Sequence, residues 1–167
     1  MRIEIRDFPK RYGVGFPDEQ SINILTRGLE SCVHLQACTW TRDGSLTSEI
    51  LTCLAKCPEL TDVAINGGYS PHYEPADLVQ LFRLRKISLI MPCIFVVRIL
   101  PHWLEAIERS LTSLSLICKA RFFCPHPFDY IIHQSYRQIL LLLTASYKIS
   151  RNLFHSLSIS IWLGVQG

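Results

Sequence analysis

The side chains best suited to chemistry are six histidines, seven cysteines and two pairs of carboxylates, and their spacing limits what they can do. Among His34, His72, His102, His126, His133 and His155, only His126 and His133, with Cys124, have metal-like spacing. A structural zinc site needs four ligands closing a tetrahedron. No fourth is evident, so chance is the plainer reading. Cys53 and Cys57 stand four apart, which places them on one face of a helix and departs from the Cys-x-x-Cys spacing of redox and zinc sites. They read as reduced, buried thiols acting as small core hydrophobes. Asp18/Glu19 and Glu105/Glu108 fall on predicted helices, where outward carboxylates are ordinarily solvated rather than set up for acid–base work. Gly67-Gly68, after the apolar Ile65, is more simply a turn than a phosphate loop, because the rest of either nucleotide-binding fingerprint is missing. Gly-x-Ser-x-Gly and His-Glu-x-x-His are absent as well. The expectation is a protein that is not an enzyme and uses no metal or cofactor.

Composition narrows the class further. The chain has 167 residues, 49% of them hydrophobic and 19% charged, enough to bury a core and too apolar to be disordered throughout. Residues 1–119 hold 13 Lys/Arg and 13 Asp/Glu, so the formal net charge of +3 comes entirely from Arg121, Arg137, Lys148 and Arg151 set against Asp129. The main body therefore has no electrostatic reason to seek nucleic acid. Met1-Arg-Ile-Glu-Ile-Arg-Asp interrupts every apolar window with charge, unlike a secretory leader. The longest apolar run of the basic tail, Ile139 to Leu143, is far short of the ~20 residues that span a bilayer. These features predict an intracellular protein, cytoplasmic or nuclear, with no transmembrane segment and with reduced cysteines.

The elements that carry these residues repeat. Cys32-x-x-Leu35-x-x-Cys38-x-Trp40, Cys57-x-x-Leu60-x-x-Val63-x-Ile65, Leu81-x-x-Leu84-x-x-Ile87-x-Leu89 and Glu108-x-x-Leu111-x-x-Leu114-x-Leu116 align without gaps at separations of 25, 24 and 27 residues. Each segment ends in the alternation of a strand with one buried face, and between segments the apolar spacing becomes helical. Ile22, Leu25, Leu29 and Cys32 make one such face. Thr47 is placed to cap a helix whose stripe is Ile50, Leu51 and Leu54, with Cys57 following. Pro75 sits at a first helical position ahead of Leu78, Leu81 and Phe82. Val96, Val97, Leu100, Leu104 and Ile107 form the next stripe, which Pro101 should break or kink. Ile3 and Ile5 supply an earlier strand. Strand and helix alternating at a near-constant ~25-residue period predict an α/β solenoid of leucine-rich-repeat type, with parallel strands on the concave face and helices on the convex face. A compact doubly wound α/β domain is the competing fold, but it gives no reason for the constant period.

Cys57-Pro-Glu-Leu-Thr-Asp62, after Ile50-Leu51-x-x-Leu54-Ala55-Lys56, resembles the cysteine-containing leucine-rich repeats of F-box proteins. Cys38-Thr-Trp-Thr-Arg-Asp-Gly-Ser-Leu46 and Ile87-Ser-Leu-Ile-Met-Pro92 are similar, more narrowly, to fungal proteins of that kind, and the resemblance covers about residues 1–119. It implies repeats that hold a protein substrate, next to an F-box that engages a ubiquitin-ligase adaptor. An F-box would be a separate helical segment ahead of the repeats, whereas Met1 already opens among them. Leu46-Thr-Ser-Glu-Ile-Leu51 is similar to an F-box opening, but the period calls for a repeat helix there. The ninth repeat positions are Asp43, Gly68, Pro92 and Lys119, so an asparagine ladder is not expected.

Two units follow: a solenoid over 1–119 and a divergent tail over 120–167, read as a cap or as a segment foreign to the fold. Phe154-x-x-Leu157-x-Ile159 offers a last strand. If leucines point inward, the intervening residues form the concave surface. Those are Arg2, Glu4 and Arg6; Ala37, Thr39 and Thr41; Asp62, Ala64 and Asn66; Lys86, Ser88 and Ile90; and Ser113, Ser115 and Ile117. That composition suits a protein or peptide ligand rather than a phosphate backbone. The expected function is a non-catalytic protein-interaction scaffold, the substrate-binding repeat part of a ubiquitin-ligase receptor. The alternatives are a truncated or aberrant fragment without independent activity, and a membrane-surface binder acting through the basic, apolar tail.

Overall fold

The computed structural model of the chain describes residues 1–6, 19–41, 45–68, 71–120 and 158–165, with the backbone alone at 118–120 and 158–165. In chain order the elements are β1 (Arg2–Ile5), α1 (Glu19–Glu30), β2 (Ala37–Trp40), α2 (Ser48–Lys56), β3 (Asp62–Asn66), a 3-10 helix (Pro75–Gln80), β4 (Lys86–Ile90), α3 (Ile94–Ala106), β5 (Ser113–Ala120) and β6 (Ser158–Val165). The strands make one α/β sheet in the order β1-β2-β3-β4-β5-β6, every neighbouring pair parallel. The order never reverses, as it would at the switch point of a doubly wound sheet.

The register follows the repeated motif. Ile3, Cys38, Val63, Ile87 and Leu114 are successive partners, and so are Ile5, Trp40, Ile65, Leu89 and Leu116. From β2 to β5 both rows are buried, together with Leu35, Leu60, Leu84 and Leu111 at the strand entrances. A further ladder runs across those entrances. Gln36 and Ala37 donate their N–H groups to the Met1 carbonyl at 2.9 and 3.4 Å, and Thr61 and Asp62 donate to that of Gln36 at 3.0 and 3.1 Å. Arg85 and Lys86 donate to Thr61 at 2.7 and 3.0 Å, and Thr112 and Ser113 to Arg85 at 2.7 and 3.0 Å. One backbone device thus recurs at each step and satisfies polar groups that an irregular entrance would leave unmet.

The helices bury the sheet's apolar rows, each in its own way. Thr47 caps α2 by accepting from the Ile50 N–H at 3.3 Å, and Ile50, Leu51, Cys53 and Leu54 are buried. The helix expected after Pro75 is a six-residue 3-10 helix instead; Leu78 and Leu81 are buried but Phe82 is 52% exposed. Three residues per turn align Leu78 with Leu81 and turn Phe82 away, whereas an α-helical turn would bring Phe82 onto the Leu78 face. Of the break or kink expected at Pro101, the break does not occur: α3 runs from Ile94 to Ala106 through it. Pro101 forfeits one helical hydrogen bond, a cost of about 3 kcal/mol in an exposed helix. Burial of Val96, Val97, Leu100 and Trp103 offsets it. Trp103, outside the predicted stripe, is fully buried and donates from Nε1 to the Leu81 carbonyl at 3.3 Å.

In the tail, β6 pairs with β5, but two residues further along than the sequence pattern suggests. Leu114 faces Ile159 and Leu116 faces Ile161, so Ile159 takes the first buried-row position rather than the second. The long connection from β5 removes the constant period that fixes register elsewhere. Leu157 and Phe154 lie outside the described residues, as do Cys124, His126 and His133. Among the described residues, no helix is long and apolar enough to cross a membrane.

Candidate binding face

Alternation along each strand leaves one side of the sheet facing away from the helices. On β1–β5 the residues predicted for a binding surface lie on this side, and all are exposed or half-buried. Register gathers them into rows. The first is Arg2, Ala37, Asp62, Lys86 and Ser113, and the second is Glu4, Thr39, Ala64, Ser88 and Ser115. The third joins Asn66, Ile90 and Ile117. Thr41 stands just beyond β2, held by its N–H to the Ile5 carbonyl at 2.9 Å. Five strands at ~4.8 Å spacing make the face about 19 Å wide.

Two of its cations are matched to carboxylates. Arg6 Nη2 is 2.6 Å from Glu4 Oε2, and Lys86 Nζ is 3.4 Å from Asp62 Oδ1. Asp62 also accepts from Thr61 Oγ1 at 2.7 Å. A surface for nucleic acid would leave a stripe of cations free; here Arg6 and Lys86 each have a carboxylate partner. The middle row, from Thr39 to Ser115, is small and uncharged, and Ile117 is 36% exposed at the apolar corner.

The turns beyond the strand ends are tied to one another. Asn66 Nδ2 donates to the Thr41 carbonyl at 3.5 Å, while its Oδ1 accepts the Gly68 N–H at 3.0 Å. Asn66 therefore links two neighbouring turns, a role hidden by counting ninth positions alone. The phosphate-loop geometry is excluded at Gly67-Gly68, because the Gly67 N–H is committed to the Ile90 carbonyl at 2.7 Å and that of Gly68 to Asn66. A Cβ at Gly67 would meet Pro92 Cα at 2.8 Å, so close packing of two turns explains this glycine. Tyr73, buried here and missed in sequence because it belongs to no stripe, donates to the Gly68 carbonyl at 3.4 Å.

Among the described residues the reactive side chains do not assemble elsewhere. Cys38, Cys53 and Cys57 are buried free thiols. Burial, and then the neighbouring Cys57, push Cys38 up to about 12. Burial also raises Cys53, with Glu30 adding to it, and raises Cys57, with Cys32 and Cys53 adding to it. These are inert, protonated thiols rather than nucleophiles. His34 Nδ1 lies 2.9 Å from Glu59 Oε1 at the surface, and this hydrogen bond is the main reason the Glu59 carboxyl sits below its ordinary range. Glu105 is exposed at the end of α3, with Glu108 half-buried just beyond it. Among the described residues no group of three or more His, Cys, Asp or Glu is placed to hold a metal. The crevice between α2 and the 3-10 helix, bordered by Leu54, Cys57 and Leu81, offers about 10 Å³, no more than one water occupies.

Compared with protein-family models, curated proteins and solved structures, the chain matches none.

Proposed function

We propose that the chain is a leucine-rich-repeat solenoid of the cysteine-containing F-box type, and that its open sheet face is a concave surface holding a protein or peptide. On this reading it is a non-catalytic scaffold, the substrate-binding repeat part of a ubiquitin-ligase receptor. One observation carries the proposal. Five strands in sequential order hold their motif positions in register, so every step adds the same buried row behind and a freely variable row in front. A sheet of this kind grows by one strand per repeat, as solenoids do. Its front sets Arg2, Arg6 and Lys86 against Glu4 and Asp62, with a small-residue centre and an apolar corner, which favours a protein surface over a polyanion.

A photo-crosslinking residue placed singly at Ser88, Ser115 and Arg98 in the full chain tests this in cells. Arg98 is exposed on α3, behind the sheet. Adducts from Ser88 and Ser115 but not from Arg98 are expected. Adducts from Arg98 alone, or none at any position, would overturn the proposal, the second result favouring a fragment without independent activity.

A further inference from the structure

Charge is not spread evenly along the strand entrances. Within a body whose Lys/Arg and Asp/Glu balance, Phe82-Arg-Leu-Arg-Lys86 sets three cations in five residues with no acid among them. Leu84 is buried, while Arg83 and Arg85 on either side of it are exposed. Arg109, exposed in the following repeat, is brought towards them by the entrance ladder. Its neighbour Ser110 donates from Oγ to the Leu84 carbonyl at 2.8 Å. Thr112 donates from Oγ1 and from its N–H to the Arg85 carbonyl at 3.0 and 2.7 Å. The Arg83 guanidinium carbon lies 5.1 Å from the centre of the Phe82 ring, and Phe82 is 52% exposed. Three guanidinium groups and an aromatic ring thus share one rim, at the entrance side of the sheet rather than on its open face.

The carboxylates of the preceding repeat are already engaged. Glu59, which holds the motif position of Arg83 there, lies 2.9 Å from His34 Nδ1 and accepts from Gln36 Nε2 at 3.4 Å. Asp62 is held by Lys86 and Thr61. On the far side Glu105 is exposed at the end of α3. The cationic stretch is therefore two repeats wide, with a carboxylate on either flank. A nucleic acid needs cations along its whole track and would meet Glu59 and Glu105 here. A short anion would not. A guanidinium stacked on a ring keeps its N–H edges directed outward, where they can grip a carboxylate through two parallel hydrogen bonds. The exposed ring beside them offers a flat apolar surface.

We propose that this rim docks a short acidic segment of a partner protein, its carboxylates paired with Arg83, Arg85 and Arg109 and an apolar side chain laid on Phe82. The site lies away from the open face and stands whether or not that face holds a ligand.

Fluorescence anisotropy of the full chain with a labelled peptide of glutamates flanking a phenylalanine tests the docking. A lysine counterpart of the peptide and a labelled single-stranded oligonucleotide serve as competitors for the same reading. The acidic peptide should bind, less tightly as salt rises, and the lysine peptide should not. Arg83→Gln combined with Arg85→Gln should weaken binding about tenfold with an unchanged melting temperature, and Arg109→Gln alone about threefold. Arg98→Gln, on the exposed side of α3 behind the sheet, should leave binding unchanged. Phe82→Ala should weaken the phenylalanine peptide more than an all-glutamate one. Failure of the acidic peptide to bind at low salt, equal binding of the lysine peptide, or tighter binding of the oligonucleotide would each overturn the proposal. So would wild-type affinity in a folded arginine variant of the rim, or a loss in Arg98→Gln as large as in the rim variants.

Discussion

The two halves of the sheet share a back and differ in front. Behind β2 and β3, and again behind β4 and β5, the same motif positions are buried, with Trp40 in one half and Trp103 in the other. In front, the first half carries Arg2, Glu4, Arg6 and Asp62, whereas β4 and β5 offer Ser88, Ser113, Ser115, Ile90 and Ile117, with Lys86 as the charge of β4. The back is fixed because each row must fit its neighbours at close-packed density. The front is not under that constraint, since each of its residues meets solvent. A repeat of this kind can therefore change its surface chemistry along its length without changing its fold.

The comparison breaks first at the tryptophans. Trp103→Ala and Trp40→Ala should each cost about 3–5 kcal/mol, read from urea denaturation, if the two halves fold as one cooperative unit. The first should also leave the mostly 3-10 segment's anchor, the Leu81 carbonyl, without its indole partner. A much smaller loss at Trp40, or a second transition in either variant, would show that the halves unfold separately. Trp40 Nε1 donates to Ser45 Oγ at 2.9 Å inside the core. Ser45→Ala should therefore cost about 1–3 kcal/mol through an unmet indole N–H, which separates the polar part of the Trp40 contribution from its packing.

The turns come next. Gly67→Ala sets a methyl group against the backbone of Pro92 and should cost about 1–3 kcal/mol by thermal denaturation. At Gly68 the nearest atom to an added Cβ is Asn66 Oδ1 at 3.1 Å, a side chain that can shift, so the Gly68→Ala loss should be smaller. Equal losses would mean that the Asn66 bridge matters as much as the Pro92 contact.

Titration compares the halves differently. Cys38 in β2 and Tyr73 ahead of β4 are both pushed up to about 12, mainly by burial, from ordinary values of 9.0 and 10.0. The folded chain thus keeps protons that the unfolded chain releases, so between about pH 9 and 12 the unfolded state binds fewer protons and stability falls as pH rises. Urea midpoints should be set by other groups below pH 9 and decline above it. Cys38→Ala should be less stable at neutral pH yet show a shallower decline, the part that remains belonging to Tyr73 and the other raised thiols. An unchanged slope would place Cys38 outside the cooperative core.

Most of this architecture was legible in the residues because two periods coexist. Alternation at Val63-x-Ile65 and recurrence every 24 to 27 residues together predict both the strands and their partners. The features that escaped depend on contacts between distant elements. Trp103 is buried where its indole meets the Leu81 carbonyl just after the 3-10 helix, Pro101 is tolerated because that burial holds α3 together, and Asn66 bridges to Thr41 only once the strands are side by side. The register of β6 differs by two residues from the one its sequence pattern suggests, because no constant period reaches it. The candidate face was legible as a set of positions, but the pairing of Asp62 with Lys86 exists only in the register of β3 with β4, and that of Glu4 with Arg6 needs both to share one face of an extended segment.

The smallest expected effect bears most directly on that face. The Lys86 side chain is 64% exposed and that of Asp62 30%, so their 3.4 Å contact is worth about 0–1 kcal/mol and less at high salt. Lys86→Gln should shift the urea midpoint only slightly, and Asp62→Asn a little more because Asp62 also holds Thr61. If the pair serves recognition, both substitutions should alter crosslinking at Ser88, its neighbour in the next row, far more than they alter stability. A change in stability with crosslinking intact would instead make the pair a strut between β3 and β4, and the recognition surface would then contract to Thr39, Ser88, Ser115 and the apolar corner at Ile90 and Ile117.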